Sequence, residues 1–286
     1  MSNQVIITAA LTGAGTPKEL NPNLPLTPVE IAEDAYRCWQ AGAAVVHLHM
    51  RDDEGRGTMD KEKFAQAIRL IRAHKDCDVV INCTSSGATR QLEPKERIGH
   101  FEDVPDIEIG SFDSGSINWG CNAVFDNSPQ FLTVLADCYQ RNNVLPEIEI
   151  FDMGMLGNAK YYQKKGLLPT PAYFQCVLGV LGGMEATVEN LIYLVRHLPE
   201  GSKWSAFGIG AGHLPILFAS LALGCTGVRV GLEDNLIMGK SEKDEKILAT
   251  NVSLVERAVG AIRAYGKQPA TAAQAREILG LSQLIR

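Results

Sequence analysis

The chain predicts a closed barrel of eight parallel strands, a (β/α)8 TIM barrel forming a single domain over residues 1–286. Three observations predict it. Apolar strand-like segments and amphipathic helical segments alternate eight times, and composition does not break anywhere along the 286 residues. Residues able to do chemistry also follow the second and last apolar segments, at the strand ends where such barrels carry their sites.

The first strand is read at residues 5–9. The helix after it opens on Thr27, a side chain that caps free amides, followed by Pro28 at the first helical position, and runs to about Gly42. A second strand covers residues 45–50, a helix 60–74 and a third strand 78–84. A short helical stretch at 94–99 precedes the fourth strand at 106–110. The amphipathic pattern of residues 128–142 predicts a helix, followed by a strand at 145–151 and a brief helix at 159–165. Strands at 173–178, 205–208 and 227–230 alternate with helices at 185–197 and 213–223, and a long closing helix is expected over 242–265. A doubly wound open sheet is the rival architecture. It would carry a dinucleotide loop after the first strand, and Leu11-Thr12-Gly13-Ala14-Gly15 lacks the full G-x-G-x-x-G spacing. Residues 12–28 are long for an idle connection, which marks them as a loop with a task.

Hydrophobic residues make up 45% of the chain and charged residues 21%, the balance of a well-packed globule. A net charge of −6 with no basic block argues against nucleic acid as a partner. No apolar run reaches the roughly 18 residues of a membrane span. The N-terminus shows no basic region or cleavage site of an export signal. Seven scattered cysteines with no C-x-x-C pair read as reduced thiols in a cytoplasmic protein.

The chemistry concentrates in Val45-Val46-His47-Leu48-His49-Met50-Arg51. Side chains alternate along a strand, so His47 and His49 point the same way, with Cα atoms roughly 6.5 Å apart. Two imidazoles so placed suit one metal ion, and zinc favours nitrogen ligands and keeps a position open in catalytic sites. A third ligand is offered by Val228-Arg229-Val230-Gly231-Leu232-Glu233-Asp234-Asn235, where the last strand runs into acids. A single histidine beside an apolar run is commonly a core residue, and an acidic pair after a strand commonly caps a helix. Closure of the barrel changes that balance. Strands two and eight both become neighbours of strand one, which brings residues nearly two hundred positions apart to one rim. Glu147 and Glu149 share a face of the fifth strand, which makes Glu149 either a supporting group of the site or half of a structural ion pair. His100 and His213 receive no role.

With these segments in view, the chain resembles the β-keto acid cleavage enzymes. The resemblance runs through Ile7-Thr8-Ala9-Ala10-Leu11-Thr12-Gly13-Ala14, Asn21-Pro22-Asn23-Leu24-Pro25-Leu26-Thr27-Pro28 and Ala41-Gly42-Ala43-Ala44-Val45-Val46-His47-Leu48-His49. It continues through Gln175-Cys176-Val177-Leu178-Gly179-Val180 to the segment ending at Asn235. It implies a zinc-binding barrel, usually a homotetramer, that exchanges a β-keto acid with acetyl-CoA to give a new acyl-CoA and acetoacetate. It implies His47, His49 and Glu233 as zinc ligands, Arg229 and Asp234 as the catalytic arginine and its partner acid, and Thr84, Gly87 and Ser116 as substrate contacts. The implied chemistry is a Claisen-type condensation followed by retro-Claisen cleavage, in which Asp234 takes the C2 proton of a keto acid polarised by the metal. A CoA-independent zinc aldolase, lyase or hydrolase would use the same metal ligands. A barrel that keeps zinc for stability and only binds a metabolite is a third reading.

Three positions depart from the pattern of the lysine-fermentation members. Where those carry a glutamate for the substrate's amino group, this chain has Gly15. The loop Cys83-Thr84-Ser85-Ser86-Gly87 has a serine in place of a glycine, and Gly210 is followed by the small Ala211-Gly212. Together they point to a keto acid whose distal end is not a primary amine.

Overall fold

β1 (Gln4–Ala10) is buried almost throughout, and both of its edges are paired in parallel. On one side lies β2 (Val45–Leu48), with Ala10 opposite His47. On the other lies β8 (Gly227–Val230), in register from Ile6↔Gly227 to Ala9↔Val230. Between β2 and β8 the sheet continues through β3 (Val80–Cys83), β4 (Ile109–Asp113), β5 (Leu145–Ile150), β6 (Tyr173–Leu178) and β7 (Lys203–Gly208). Every pairing is parallel, and the β1–β8 ladder closes the barrel. The computed structural model describes residues 3–87 and 92–284.

The helices begin where their caps dictate. α1 (Pro28–Ala41) starts with Thr27 accepting from the Glu30 amide and the Glu30 side chain answering the Thr27 amide, a reciprocal cap. α2 (Lys61–Ala73) is capped by Asp60, and Pro94 leads α3 (Pro94–Asp103). α4 (Pro129–Asn142) is capped by Ser128, α5 (Met153–Lys164) by Asp152 and α6 (Val188–His197) by Thr187. α7 (His213–Ala222) and α8 (Asn251–Ala264) complete the outer ring. The main core lies between strands and helices and includes Ile7, Leu48, Phe64, Phe112, Phe174 and Leu254. A second apolar cluster gathers Ile6, Val45, Val80, Ile109 and Tyr173 under α9 (Ala272–Leu279). There buried Arg276 donates to both Glu108 oxygens, at 2.6 and 2.8 Å, and to the Asp78 carbonyl at 2.7 Å. No helix among the described residues is long and apolar enough to cross a membrane.

Several boundaries differ from those read in the sequence. The second strand ends at Leu48, so His49 stands just beyond it rather than inside it. The fourth strand lies at Ile109–Asp113, because Asp106 turns the chain with φ +68 and the strand begins after it. The fifth helix starts six residues before the expected 159, at Met153, directly after its Asp152 cap. The long helix expected over 242–265 begins only at Asn251. The charged stretch before it is the turn of a hairpin, Ile237–Lys240 against Lys246–Leu248.

Candidate active site

Five of the nine site residues read in the sequence meet at the C-terminal rim. His47 leaves the end of β2 and His49 follows it, their ring centroids 5.1 Å apart. Glu233 arrives from the segment after β8. Its Oε1 lies 3.3 Å from His49 Nε2 and 3.9 Å from His47 Nε2. Potential ligand atoms of the three residues all lie within 4.8 Å of one another. Gly231 makes this approach possible. A Cβ there would sit 2.0 Å from the Ala10 carbonyl oxygen, and its φ of +148 suits glycine. The Glu233 amide then donates to that same Ala10 oxygen at 3.2 Å, which fixes the acid against β1.

This set fits a metal. Glu233 Oε2 is buried without a hydrogen-bond partner, and unpaired buried carboxylate oxygens are costly unless a cation or donor meets them. Two imidazoles and one carboxylate are a catalytic zinc donor set with room for a further ligand. Burial pushes the His47 imidazolium down to about 3, assisted by the Arg229 and His49 charges and opposed by Glu233, so the ring is neutral and able to bind metal. Burial alone would raise the Glu233 carboxyl, yet the Arg229 guanidinium and the two imidazoles outweigh it and hold it well below the usual carboxylate range.

Arg229 is buried on β8 and spends its donors on carboxylates. Nε donates to Asp234 Oδ2 at 2.9 Å and Nη2 to Asp234 Oδ1 at 3.0 Å. Nη2 also donates to Glu233 Oε1 at 2.6 Å, and Nη1 to Glu149 Oε1 at 3.3 Å. Its guanidinium lies 4.4 Å from the centroid of the Phe207 ring. Burial opposes the charge, but Asp234, Glu233 and Glu149 together hold the guanidinium firmly protonated. Burial raises the Asp234 carboxyl to about 6, against the pull of Arg229. Glu149 is raised well above its ordinary range by burial and by Asp113. Its Oε1 accepts from Arg229 Nη1 at 3.3 Å, so it backs the Arg229–Asp234 pair from β5.

The remaining four residues are placed differently. Gly87 packs on the candidate metal-ligand set: a Cβ at this position would lie 2.6 Å from His49 Nδ1. Thr84 is buried at the end of β3, with its hydroxyl accepting from the Ser86 amide at 3.1 Å. Gly15 is exposed in the loop after β1. Ser116 is exposed too, and its hydroxyl donates to Asp126 at 3.2 Å and accepts from the Asn127 amide at 2.8 Å.

Sequence reasoning missed two arginines that build the rim. Arg51 is buried, and its guanidinium donates to the carbonyls of Gly13 at 2.7 Å, Gly55 at 2.8 Å, Thr16 at 3.1 Å and Thr12 at 3.3 Å. Arg97 joins Ser85 O, Asp126 O and Asn127 Oδ1 beneath the Phe131 ring. The position of Arg51 two residues after His49 was the available signal for the first. Nothing local in the sequence marks the second.

Comparison with known proteins identifies the family and the fold. A 3-keto-5-aminohexanoate cleavage enzyme of Fusobacterium nucleatum is 38% identical over 99% of this chain and 100% of its own. A 3-oxoadipate:acetyl-CoA acetyltransferase of Cupriavidus necator is 33% identical over 99% of this chain and 97% of its own. The apo structure of ObcA superposes with a TM-score of 0.80 at 24% identity, covering 91% of this chain and 66% of that one. The chain thus spans about two thirds of that structure, and the likeness speaks for the barrel alone. The family described as beta-keto acid cleavage enzyme matches residues 4–281, and with the rim already described it places the chain: this protein is an enzyme of the beta-keto acid cleavage family.

Proposed function

We propose that the protein exchanges a β-keto acid with acetyl-CoA, releasing acetoacetate and a new acyl-CoA, with zinc held by His47, His49 and Glu233. The observation that carries the reading is the meeting of that ligand set with the Arg229–Asp234 pair on one rim. When bound, zinc supplies Lewis-acid polarisation of the keto acid. Asp234, raised to about 6, accepts the C2 proton near neutrality. Arg229 lies against both of its oxygens and offers fixed positive charge where negative charge builds. The carbanion attacks the acetyl thioester carbon, a C–C bond forms and CoA thiolate leaves. The thiolate then attacks the original keto carbon and the old C–C bond breaks. The proton held on Asp234 returns to the departing acetoacetate carbanion.

Thr84, Gly87 and Ser116 are assigned to the keto-acid end of the substrate and Gly15 to its distal end. The packing of Gly87 and Thr84 beside His49 supports the first pair. A single-domain chain working as a homotetramer accords with Val124 and Leu181, 68% and 64% exposed, which an assembly would cover. A reducing, cytoplasmic setting suits the cysteines, all free and all but Cys121 buried.

The test mixes zinc-loaded protein, acetyl-CoA and a panel of β-keto acids, and follows acetoacetate and acyl-CoA together. Equimolar appearance of both, abolished by His47→Ala, is the expected result. Cleavage of a keto acid at the same rate without acetyl-CoA would replace the reading with a zinc lyase or hydrolase.

A further inference from the structure

At and below the candidate metal-ligand set, four side chains in the barrel end in atoms that make no hydrogen bond among the described residues. They are His47 Nδ1 on β2, Asn82 Oδ1 on β3, Glu147 Oε1 on β5 and Gln175 Nε2 on β6. All four residues are fully or almost fully buried. His47 and Asn82 are register partners across the β2–β3 ladder, so their side chains leave the sheet side by side. That register sets the Asn82 amide beside the His47 imidazole. One end of the amide is committed: Nδ2 donates to Glu147 Oε2 at 2.6 Å. That bond decides which way the amide faces, because only the nitrogen end can donate to the carboxylate. The oxygen end is left for the imidazole.

The two unpaired atoms are complementary. A histidine that binds metal through one ring nitrogen carries its proton on the other and needs an acceptor for it. His47 Nδ1 has no acceptor, and Asn82 Oδ1 has no donor. His49 Nδ1 is unpartnered among the described residues as well, but Gly87 packs against that edge and no side-chain amide faces it across the ladder.

We propose that Glu147 and Asn82 form a relay that orients His47: the Glu147 carboxylate fixes the Asn82 amide, and Asn82 Oδ1 accepts the Nδ1–H of His47. The relay sets the tautomer that presents Nε2 to the metal. Both are positioning residues, since neither lies among the metal ligands. The inference rests on the zinc reading above and deepens it.

The test measures the zinc Kd of the apo protein by competition with a chromophoric chelator, and the visible bands of the cobalt(II) form. The variants are Asn82→Leu, Asn82→Ser, Glu147→Leu and Glu147→Gln. Loss of a partner that orients a metal-bound histidine weakens metal binding about 10- to 100-fold. That loss and shifted cobalt bands are expected for N82L, N82S and E147L. E147Q, whose side-chain carbonyl still accepts from Asn82, is expected within about threefold of wild type. N82S accompanies N82L because its small side chain asks less of the core, and circular dichroism of each apo variant establishes that it folds. Folded N82S and E147L that bind zinc as wild type does, with unchanged cobalt bands, would overturn the relay and leave the metal site standing. A wild-type protein that binds no zinc would overturn both.

Discussion

Arg229 and Asp234 form a two-pronged ion pair, 2.9 Å from Nε to Oδ2 and 3.0 Å from Nη2 to Oδ1, buried beside Glu233. A fork of this kind fixes both the position and the plane of the carboxylate. It can serve as a plain clamp or as part of the reacting group, and kinetics separate the two. Lysine at 229 keeps the charge and loses the fork. If the pair acts in the transition state, Arg229→Lys lowers kcat on the order of 100-fold and leaves KM within a few-fold. Asp234→Asn, which removes the proposed base, is expected to lower kcat about 100- to 10,000-fold. Steady-state rates in both substrates check this, and a rise in KM alone would mark Arg229 as a clamp.

The parts of this site that the sequence disclosed are those that sit on regular strands or directly after them. His-X-His at the end of β2 and the acids after β8 were legible because apolar runs delimit both strands, and barrel closure then fixes their neighbourhood. Thr27–Pro28 and Ser128–Pro129 gave the starts of α1 and α4 because capping is local chemistry. The fourth strand slipped by three residues for the opposite reason. Its true second half, Ser111 to Asp113, carries polar side chains buried at the centre of the molecule, so the apolar signal fades where the strand continues. The part of the 237–248 hairpin from residue 242 onward was read into the closing helix because a run of alternating charges has no period that favours a turn. Arg51, Arg97 and the Asn82–Glu147 pair stayed hidden because their partners are carbonyls and carboxylates distant in sequence, which no spacing rule connects.

His100 predicts how the fold responds to acid. It is buried, its Nε2 donates to the Thr84 carbonyl at 3.0 Å, and its ring stacks on Phe64. Burial pushes its imidazolium down to about 3, only partly opposed by the Thr84 bond. The unfolded chain therefore takes the proton first, near pH 6.5. Stability from the neutral ring is full above that pH and is lost as pH falls toward 3. One such group contributes a slope of about 1.4 kcal/mol per pH unit in this window. Urea unfolding from pH 6 to 4 is expected to show that slope reduced in His100→Gln. Equal slopes in the two proteins would mean the imidazole does not titrate on unfolding.

Arg51 ties the loop after β1 to the short hairpin that follows His49, Met50–Arg51 against Gly57–Thr58. Four carbonyls converge on its guanidinium, three of them from residues 12 to 16. Arg51→Met leaves those carbonyls without their donor and frees the loop, while the metal-ligand side chains stay untouched. The expected result is a KM for the keto acid about tenfold higher, a smaller change in kcat, and faster amide exchange in residues 12–16. Unchanged exchange there would show that other contacts hold the loop.

The same loop carries the test of specificity. A side chain grafted at Gly15 would meet no atom within 4 Å of its Cβ, and the backbone there does not require glycine. Gly15→Glu is therefore expected to fold with the stability of the parent. It places a carboxylate at the position that the family resemblance assigns to a substrate amino group. A charge-assisted hydrogen bond contributes about 1.5–3 kcal/mol, and 1.4 kcal/mol is a factor of ten. The ratio of kcat/KM for an amino-bearing keto acid over an uncharged one of equal length should rise at least about tenfold. If the ratio stays flat while the protein remains folded and active, the distal end of the substrate does not reach Gly15, and the tail must lie toward Ala211 and Gly212 at the mouth of β7.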